Sequence, residues 1–440
     1  MHPSPTRRRF LGSSAALAAA TALPAWFLEQ CADSQAAAAP LGPNDKPGIA
    51  LIGCGGRGMG VASEAAALGQ MVAYCDLDES HFAQPKQLWP DAKAYEDFRK
   101  LLERDDVHAI VNGTPDHWHT LVNIAAMRAG KDVYSEKPLT LTIDEGKRLV
   151  AVAKETKRIL QTGSQQRSDK NFRLACELVR NGRLGKLNHV HVVLPSGRRE
   201  GPFKLAAVPA GLDWDMWLGQ TLKVDYQPER CHVTFRYWWE YSGGTMTDWG
   251  AHHLDIAQWG TGHERSGPVS IAANPLVKMI PGGFTAYSQY GVEYGYGDGV
   301  VLACDSTTAN AWNGAVIDPN GWQHGVKFEG ESGWIFVTRG KIEASEPELL
   351  TTPLPANATR LYASDNHMRN FFDCLRSREQ PICDAEIGHR SASVCHLGVI
   401  SLRLGRKLQW DPANEQFVDD DEANGWLARV QRKPWTYDTI

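Results

Sequence analysis

Apolar runs and amphipathic stretches alternate along the chain from residue 46 onward. Short apolar runs bounded by turn residues predict buried strands, and apolar positions three and four residues apart predict helices. The predicted strands are 48–53, 71–74, 107–111, 131–134 and 158–162. The helices predicted between them are 59–68, 96–103, 117–129 and 142–156. This alternation is typical of an α/β fold with a doubly wound parallel sheet, which we expect over residues 46–163.

The pattern changes after residue 163, where strands follow one another without intervening helices. The strands predicted there are 187–194, 299–304, 325–329 and 334–338. Strands joined by turns favour an antiparallel sheet. Helices are predicted at 171–181, 366–376 and 385–404. Because a chain of 440 residues suits two domains, we expect a second α/β domain over residues 164–440.

A glycine-rich loop follows the first predicted strand and leads into the first helix. Its residues are Gly53, Cys54, Gly55, Gly56, Arg57 and Gly58. Glycines at the first, third and sixth positions permit a tight turn, a close approach to a pyrophosphate and close packing of helix on strand. Asp76 ends the next strand, where a carboxylate binds the hydroxyls of the adenosine ribose. The loop and Asp76 therefore predict a dinucleotide site of the Rossmann type.

The same residues bear on the choice of dinucleotide. The Asp76 carboxylate would repel the 2′-phosphate of NADP, so the sequence favours NAD. Arg57 in the loop leaves NADP open, because its guanidinium could reach that phosphate.

Polar motifs follow two of the predicted strands, and Lys137 lies in one of them. Thr114-Pro115 follows strand 107–111, and Glu136-Lys137-Pro138 follows strand 131–134. Ligands of doubly wound sheets bind beyond the carboxyl ends of the strands. A lysine there can stabilise an alkoxide on a substrate. The alternative is a surface lysine paired with Glu136.

The segment 237–260 carries a second candidate group. A helix opening at Gly243-Gly244 would place Asp248, His252 and Asp255 on one face. A histidine flanked by carboxylates is a plausible general base of raised basicity. The alternative is a polar pair with a structural role only. A metal site of Asp248, His252 and His253 is not expected, because no further ligand cluster accompanies them.

Composition narrows the class of ligand. The formal net charge is -5 and no long basic run occurs, so nucleic-acid binding is not expected. The chain has 15 tryptophans, and flat aromatic rings suit sugars. Tyr237 and Trp238 are candidates for a flat aromatic surface on which a sugar ring could stack. The alternative is that both side chains pack in the core.

The first forty residues have the pattern of an export signal. Thr6-Arg7-Arg8-Arg9-Phe10-Leu11 is a twin-arginine signature, a weakly apolar stretch covers 11–28, and small residues at 36–39 offer a cleavage site. We therefore expect residues 1–40 to lie outside the fold and the mature protein to be periplasmic, without stable membrane insertion. An uncleaved membrane anchor is the alternative.

The motifs together resemble those of the glucose–fructose oxidoreductase / inositol dehydrogenase family, Gfo/Idh/MocA. They are the glycine loop, Thr114-Pro115-Asp116-His117-Trp118-His119 and Glu136-Lys137-Pro138. The resemblance implies a Rossmann domain followed by an α/β domain with a large open, mostly antiparallel sheet. It also implies that Lys137 is catalytic and that Thr114, Pro115, His119 and Glu136 surround the nicotinamide half of the cofactor.

A second family motif, glycines followed by Asp-x-Gly-x-His, is similar to the segment around Asp248. The resemblance implies that Asp248 orients or binds substrate and that His252 is the acid–base residue, with the adjacent His253 as a possible misassignment. Arg167 is similar in place to residues that line the family's substrate cleft. A homo-oligomer is also implied.

These features lead us to expect an NAD(P)-dependent oxidoreductase. Its substrate would be a sugar, polyol or sugar derivative, and its cofactor would stay tightly held. Two alternatives remain open, an NAD-dependent glycoside hydrolase that acts through a transient keto-sugar and a non-catalytic sugar-binding protein.

Overall fold

The computed structural model describes residues 23–33, 46–306 and 324–438. Its strands are β1 (Gly48–Ile52), β2 (Gln70–Cys75), β3 (Lys93–Tyr95), β4 (Ala109–Asn112), β5 (Asp132–Ser135), β6 (Leu160–Thr162), β7 (Leu187–Val193), β8 (Ser270–Pro275), β9 (Tyr290–Gly295), β10 (Val301–Asp305), β11 (Gly325–Gly330), β12 (Gly333–Thr338), β13 (Lys341–Ala344), β14 (Leu408–Asp411) and β15 (Gln416–Phe417).

Helices connect and cover these strands. They are α1 (Ala25–Asp33), α2 (Gly56–Ala66), α3 (Ala83–Leu88), α4 (Phe98–Leu102), α5 (Asp116–Arg128), α6 (Ile143–Thr156), α7 (Lys170–Arg180), α8 (Trp214–Leu218), α9 (Thr245–Asp248), α10 (Gly250–Thr261), α11 (Glu348–Thr351), α12 (His367–Ser377), α13 (Ala385–Leu404) and α14 (Asp421–Asn424).

The first sheet has six parallel strands in the order β3-β2-β1-β4-β5-β6. The chain order reverses between β1 and β4, so the carboxyl ends of these two strands border a crevice. Strands β1, β4 and β5 are buried along their whole length, as expected for central strands of a parallel sheet that is covered on both faces. The predicted Rossmann domain is confirmed.

The second sheet has nine strands in the order β13-β12-β11-β7-β10-β9-β8-β14-β15. Its pairs are antiparallel except for β7 with β10. Helices α7, α10 and α13 contribute to the apolar core on one face. The predicted mostly antiparallel sheet is therefore confirmed.

Helix α12 follows β13 of the second sheet in the chain but packs on the first sheet. Met368, Phe371 and Phe372 belong to the same buried cluster as Ile49 and Leu51 of β1. Three apolar side chains of α12 therefore pack across the boundary predicted at residue 163, and that boundary stays a prediction.

The prediction that residues 1–40 lie outside the fold is wrong for α1. Phe27 and Cys31 are fully buried in the core of the second domain. The twin-arginine motif and the segment 36–39 lie outside the described residues. Within the described part of the chain, no helix is both long and apolar enough to cross a membrane.

Candidate functional site

A cleft of about 850 Å³ lies where the carboxyl ends of the first sheet meet α9 and α10. Its wall includes Gly53, Gly55, Gly56, Arg57, Asp76, Thr114, Pro115, His119, Glu136, Lys137, Asp248 and His252. These predicted residues come from both domains, and the fold brings them to one surface. The cleft therefore joins the glycine loop to the Asp248–His252 segment.

The glycine loop forms an open cradle at one side of the cleft. A Cβ atom at Gly53 would lie 2.6 Å from the backbone of Gly113, and one at Gly58 would lie 2.0 Å from the Gly53 carbonyl oxygen. At Gly55 and Gly56 no atom lies within 4 Å of such a Cβ. Gly53 and Gly58 thus pack closely against the protein backbone, whereas Gly55 and Gly56, at the start of α2, leave the backbone of the loop open to the cleft. This arrangement fits the pyrophosphate of a dinucleotide.

Asp76 lies next to this loop and is held by three donors. Its carboxylate accepts from the Cys54 amide at 2.7 Å and the Asp78 amide at 3.0 Å, and its Oδ2 lies 3.0 Å from Nδ1 of His81. The hydrogen bond to Asp76 raises the pKa of His81. A carboxylate fixed in this way fits ribose hydroxyls.

Arg57 does not point toward Asp76. Its Nη2 lies 2.9 Å from Glu136 Oε1, across the loop on the side of Lys137. The possibility that Arg57 would reach a 2′-phosphate is therefore not supported by its geometry, because its guanidinium is engaged by Glu136. Gln165 donates to the same carboxylate oxygen at 3.0 Å.

Lys137 spans the two domains through Asp248. Its Nζ donates to Asp248 Oδ1 at 2.5 Å and to the Asp248 carbonyl oxygen at 2.8 Å. Arg236 donates to the same carboxylate at 3.4 Å. Burial raises the pKa of the Asp248 carboxyl, but the Lys137 and Arg236 cations outweigh burial and hold it below its usual value. The surface Lys137–Glu136 pair considered from the sequence is not observed.

His252 is in a different environment from the predicted one. The helix is broken at Trp249, so Asp248 ends α9 while His252 lies in α10. Asp255 turns away and binds Arg167. Burial lowers the pKa of His252, and the Lys137, Arg339, His253 and Arg57 charges lower it further. The predicted rise in basicity is wrong, because cations rather than carboxylates surround the ring.

The ring of His252 is also weakly tethered. Its Nδ1 is buried without a hydrogen-bond partner in the described structure. Since Nδ1 is buried, Nε2 is the nitrogen that can meet a hydroxyl in the cleft. His253 is engaged elsewhere, with Nε2 3.1 Å from Nδ1 of His324.

Three predicted substrate ligands lie outside the wall of this cleft. Arg167 is 1% exposed and its guanidinium binds Asp255 and Glu264 at 2.7–2.8 Å. Trp238 is buried and donates from Nε1 to the Glu229 carbonyl oxygen at 2.7 Å. Tyr237 packs on Phe284 with 5.2 Å between ring centroids. These substrate-binding predictions are wrong, because core contacts already use the three side chains.

Other residues of the cleft wall are Trp118, Trp217, Trp249, Arg236, Arg339 and His232. Three of them are tryptophans, whose flat rings the sequence analysis associates with sugars, and Trp118 and Trp249 also lie within its two family motifs. Arg236, Arg339 and His232 gave no signal in the sequence.

One set of possible metal donors lies at the adenosine side of the cleft. The donor atoms of Asp78, His81 and His232 are all within 4.8 Å of one another. The set considered from the sequence is not such a group, since Asp248 binds Lys137 and His253 contacts His324.

Profiles of an oxidoreductase family match both domains of the chain. The profile of the oxidoreductase family's NAD-binding Rossmann fold matches residues 48–164. The profile of its C-terminal alpha/beta domain matches residues 196–437.

Curated relatives match over part of their length. A myo-inositol 2-dehydrogenase of Thermotoga maritima is 31% identical over 170 residues, which are 38% of this chain and 51% of the relative. A glycosyl hydrolase family 109 protein of Solibacter usitatus is 34% identical over 161 residues, which are 33% of this chain and 36% of the relative. The chain thus spans about half or less of these relatives' length in the matched segments.

A solved structure matches over nearly the whole of its own chain. The WlbA dehydrogenase of Bordetella pertussis, in complex with NADH and UDP-GlcNAcA, has a TM-score of 0.62 at 19% identity, over 83% of this chain and 99% of that chain. At this identity the likeness shows the fold alone.

Proposed function

The chain belongs to the Gfo/Idh/MocA oxidoreductase family and has its NAD-binding Rossmann domain, and we propose that it moves hydride between NAD and a carbinol carbon of a sugar, polyol or sugar derivative. A dehydrogenase of myo-inositol among the relatives supports this substrate class. The observation that carries the proposal is the approach of Lys137 and His252, from different domains, to the cleft that holds the glycine loop.

The residues divide the work at the substrate hydroxyl. NAD, when bound, supplies the hydride acceptor. An ammonium has three N–H donors, and Asp248 occupies two of those of Lys137, so one remains for the substrate oxygen. Lys137 thus stabilises negative charge on that oxygen. His252, neutral because its pKa is lowered, accepts the hydroxyl proton at Nε2.

The test incubates the NAD-loaded protein with a panel of sugars and polyols and monitors the absorbance of NADH. We expect at least one member of the panel to reduce the bound NAD, and we expect the Lys137→Met variant to lose this reaction. Binding of sugars without reduction by any of them would instead support a non-catalytic sugar-binding protein and contradict the proposal.

Glycoside cleavage is the second candidate, supported by the relatives named as glycosyl hydrolase family 109 proteins. Oxidation of one sugar carbon acidifies the neighbouring C–H, elimination releases the glycosidic substituent, water adds, and the carbonyl is reduced again. The same lysine and histidine would serve. The assay that discriminates the two functions is release of phenol from aryl glycosides without added cofactor. If no phenol is released, glycoside cleavage is contradicted and the oxidoreductase proposal remains.

We further propose that the protein is exported by the twin-arginine route to the periplasm, holds its cofactor through turnover and forms a homo-oligomer. The signature around Arg7 and Arg8 supports export. Replacing both arginines by lysine should abolish appearance in the periplasmic fraction. Light scattering of the purified protein tests the oligomer, and a monomer mass would contradict it.

A further inference from the structure

Helix α1 fills a groove of the second domain. Phe27 is 0% exposed and Cys31 is 1% exposed, and both belong to the main apolar cluster of that domain. Trp26 and Leu23 pack against the same cluster from positions that are partly buried. A helix that only flanked the domain would keep such side chains in contact with water.

Two residues of α1 contact the same buried cation of α7, the guanidinium of Arg173. The Arg173 guanidinium lies 4.9 Å from the Phe27 ring centroid, and its Nη2 lies 2.8 Å from Cys31 Sγ. Arg173 itself is 3% exposed, and Glu177 is its ion-pair partner at 3.7 Å. Without α1 this arginine would lose the ring that covers it and would face solvent beside bare apolar surface.

Helix α7 links this groove to the cleft. Asp169, the N-cap of α7, and Phe172 in its first turn line the cleft wall. Arg173 follows Phe172 directly and faces α1. The same short helix therefore presents one side to the cleft and the other to α1.

We propose that α1 is a permanent part of the mature protein, seated in this groove as a brace behind the cleft wall, and that signal processing leaves it attached. A cut at 36–39 would separate α1 from β1. The brace follows from packing alone, whereas the statement on processing rests on the proposed export.

The first test is the mass of the protein recovered from its native export route. An intact mass that includes Leu23 to Asp33 is expected. A mature chain that begins at Ser34 or later would overturn the proposal. If no protein reaches the periplasm, the export proposal fails, and the brace is still decided by the stability measurements.

Those measurements compare Phe27→Ala with Leu28→Ala in the full chain. Phe27→Ala should lower Tm by about 5–10 °C, because it leaves a cavity in a core. Leu28 is 44% exposed, and its truncation should change Tm by about 1 °C or less. Equal changes of Tm in the two variants would overturn the proposal that α1 stabilises the domain from this groove.

Deletion of residues 1–40 gives an independent readout. Compared with deletion of 1–22, it should lower Tm, and a synthetic peptide of residues 23–33 added in excess should restore the loss. Equal melting of the two deletions would again contradict the proposal.

Discussion

Lys137 and His252 acquire their properties from neighbours in different elements. Lys137 is held by the carboxylate and carbonyl oxygens of Asp248. His252 lacks any carboxylate contact in the described structure and is surrounded by positive charge. The lysine is therefore fixed in position, while the histidine is kept in its neutral form, which is the form that a general base requires.

Replacement of Lys137 by Met tests the electrophilic role. The variant loses the N–H that would bind the substrate oxygen, so kcat should fall about 10²–10³-fold. NAD released on denaturation should stay near the wild-type amount. Lys100→Met is the control, because Lys100 is exposed and pairs with Glu103 on the surface. A Lys137→Met enzyme with near-normal kcat would exclude this role.

The pH profile of kcat/KM tests His252. Burial and the nearby Lys137, Arg339, His253 and Arg57 charges lower its pKa, so the neutral form persists to lower pH than for an ordinary histidine. Oxidation should therefore stay level from neutral pH down past about 6.5 and decline only below that value. An acid limb centred at or above that value would contradict the assignment.

His253 provides the matched comparison for the adjacent position. His252→Asn should lower kcat by about 10²-fold or more and remove the acid limb. His253→Asn breaks the contact with His324 and should affect stability while the limb stays in place. The reverse result would assign the acid–base role to His253.

At the scale of elements, the sequence predicted those strands and helices whose local pattern of apolar residues is distinct. Apolar runs identified β1 and β4, since strands buried on both faces read as such runs. The strands that escaped are β3, β8, β9, β13, β14 and β15. Most of them are short or partly exposed and carry little pattern, whereas β9 is mostly buried but contains two glycines, which are poor strand formers.

The errors at the site come from tertiary contacts. Helical spacing placed Asp255 beside His252, but the break at Trp249 separates Asp248 from α10 and Asp255 binds Arg167 instead. Arg339 reaches the cleft from the turn between β12 and β13, far along the chain. No local pattern could have indicated either fact.

The Arg167–Asp255 pair joins the turn after β6 to α10 and should be structural. Arg167→Met leaves a buried carboxylate without its partner, which costs about 3–5 kcal/mol. Urea unfolding should show this loss, while KM for the sugar stays unchanged. Arg376→Met is the control, because that arginine and its partner Asp373 are both more than a third exposed, so its loss should cost about 1 kcal/mol or less. If Arg167→Met raised KM for the sugar without lowering the free energy of unfolding, Arg167 would instead bind substrate.

At the scale of the whole molecule, the two domains meet again at the adenosine side of the cleft. Asp78 forms an isolated bridge with Leu212 of the second domain. His232, also from that domain, lies 3.3 Å from Asp78 Oδ2 and 4.9 Å from the His81 ring. We therefore expect the contact between these segments to slow the exit of a bound cofactor.

Replacement of His232 by Asn tests this closure. His232 has φ of +55°, a conformation that Asn tolerates better than most residues, so the variant removes the imidazole with little strain. The rate of NADH release, followed by cofactor fluorescence during dilution into NAD, should rise about 5- to 10-fold, as expected for the loss of one partly exposed polar contact to a carboxylate. Tm without cofactor should change little.

Lys223→Met on the same segment is the control, since Lys223 is exposed and pairs with Asp215 at 3.1 Å. It should leave the release rate unchanged. If His232→Asn also leaves it unchanged, the contact between the domains does not limit cofactor exit, and retention would depend on the glycine loop and Asp76 alone. A faster release in the His232 variant, with kcat preserved, would mean that cofactor retention and chemistry are set at opposite ends of one cleft.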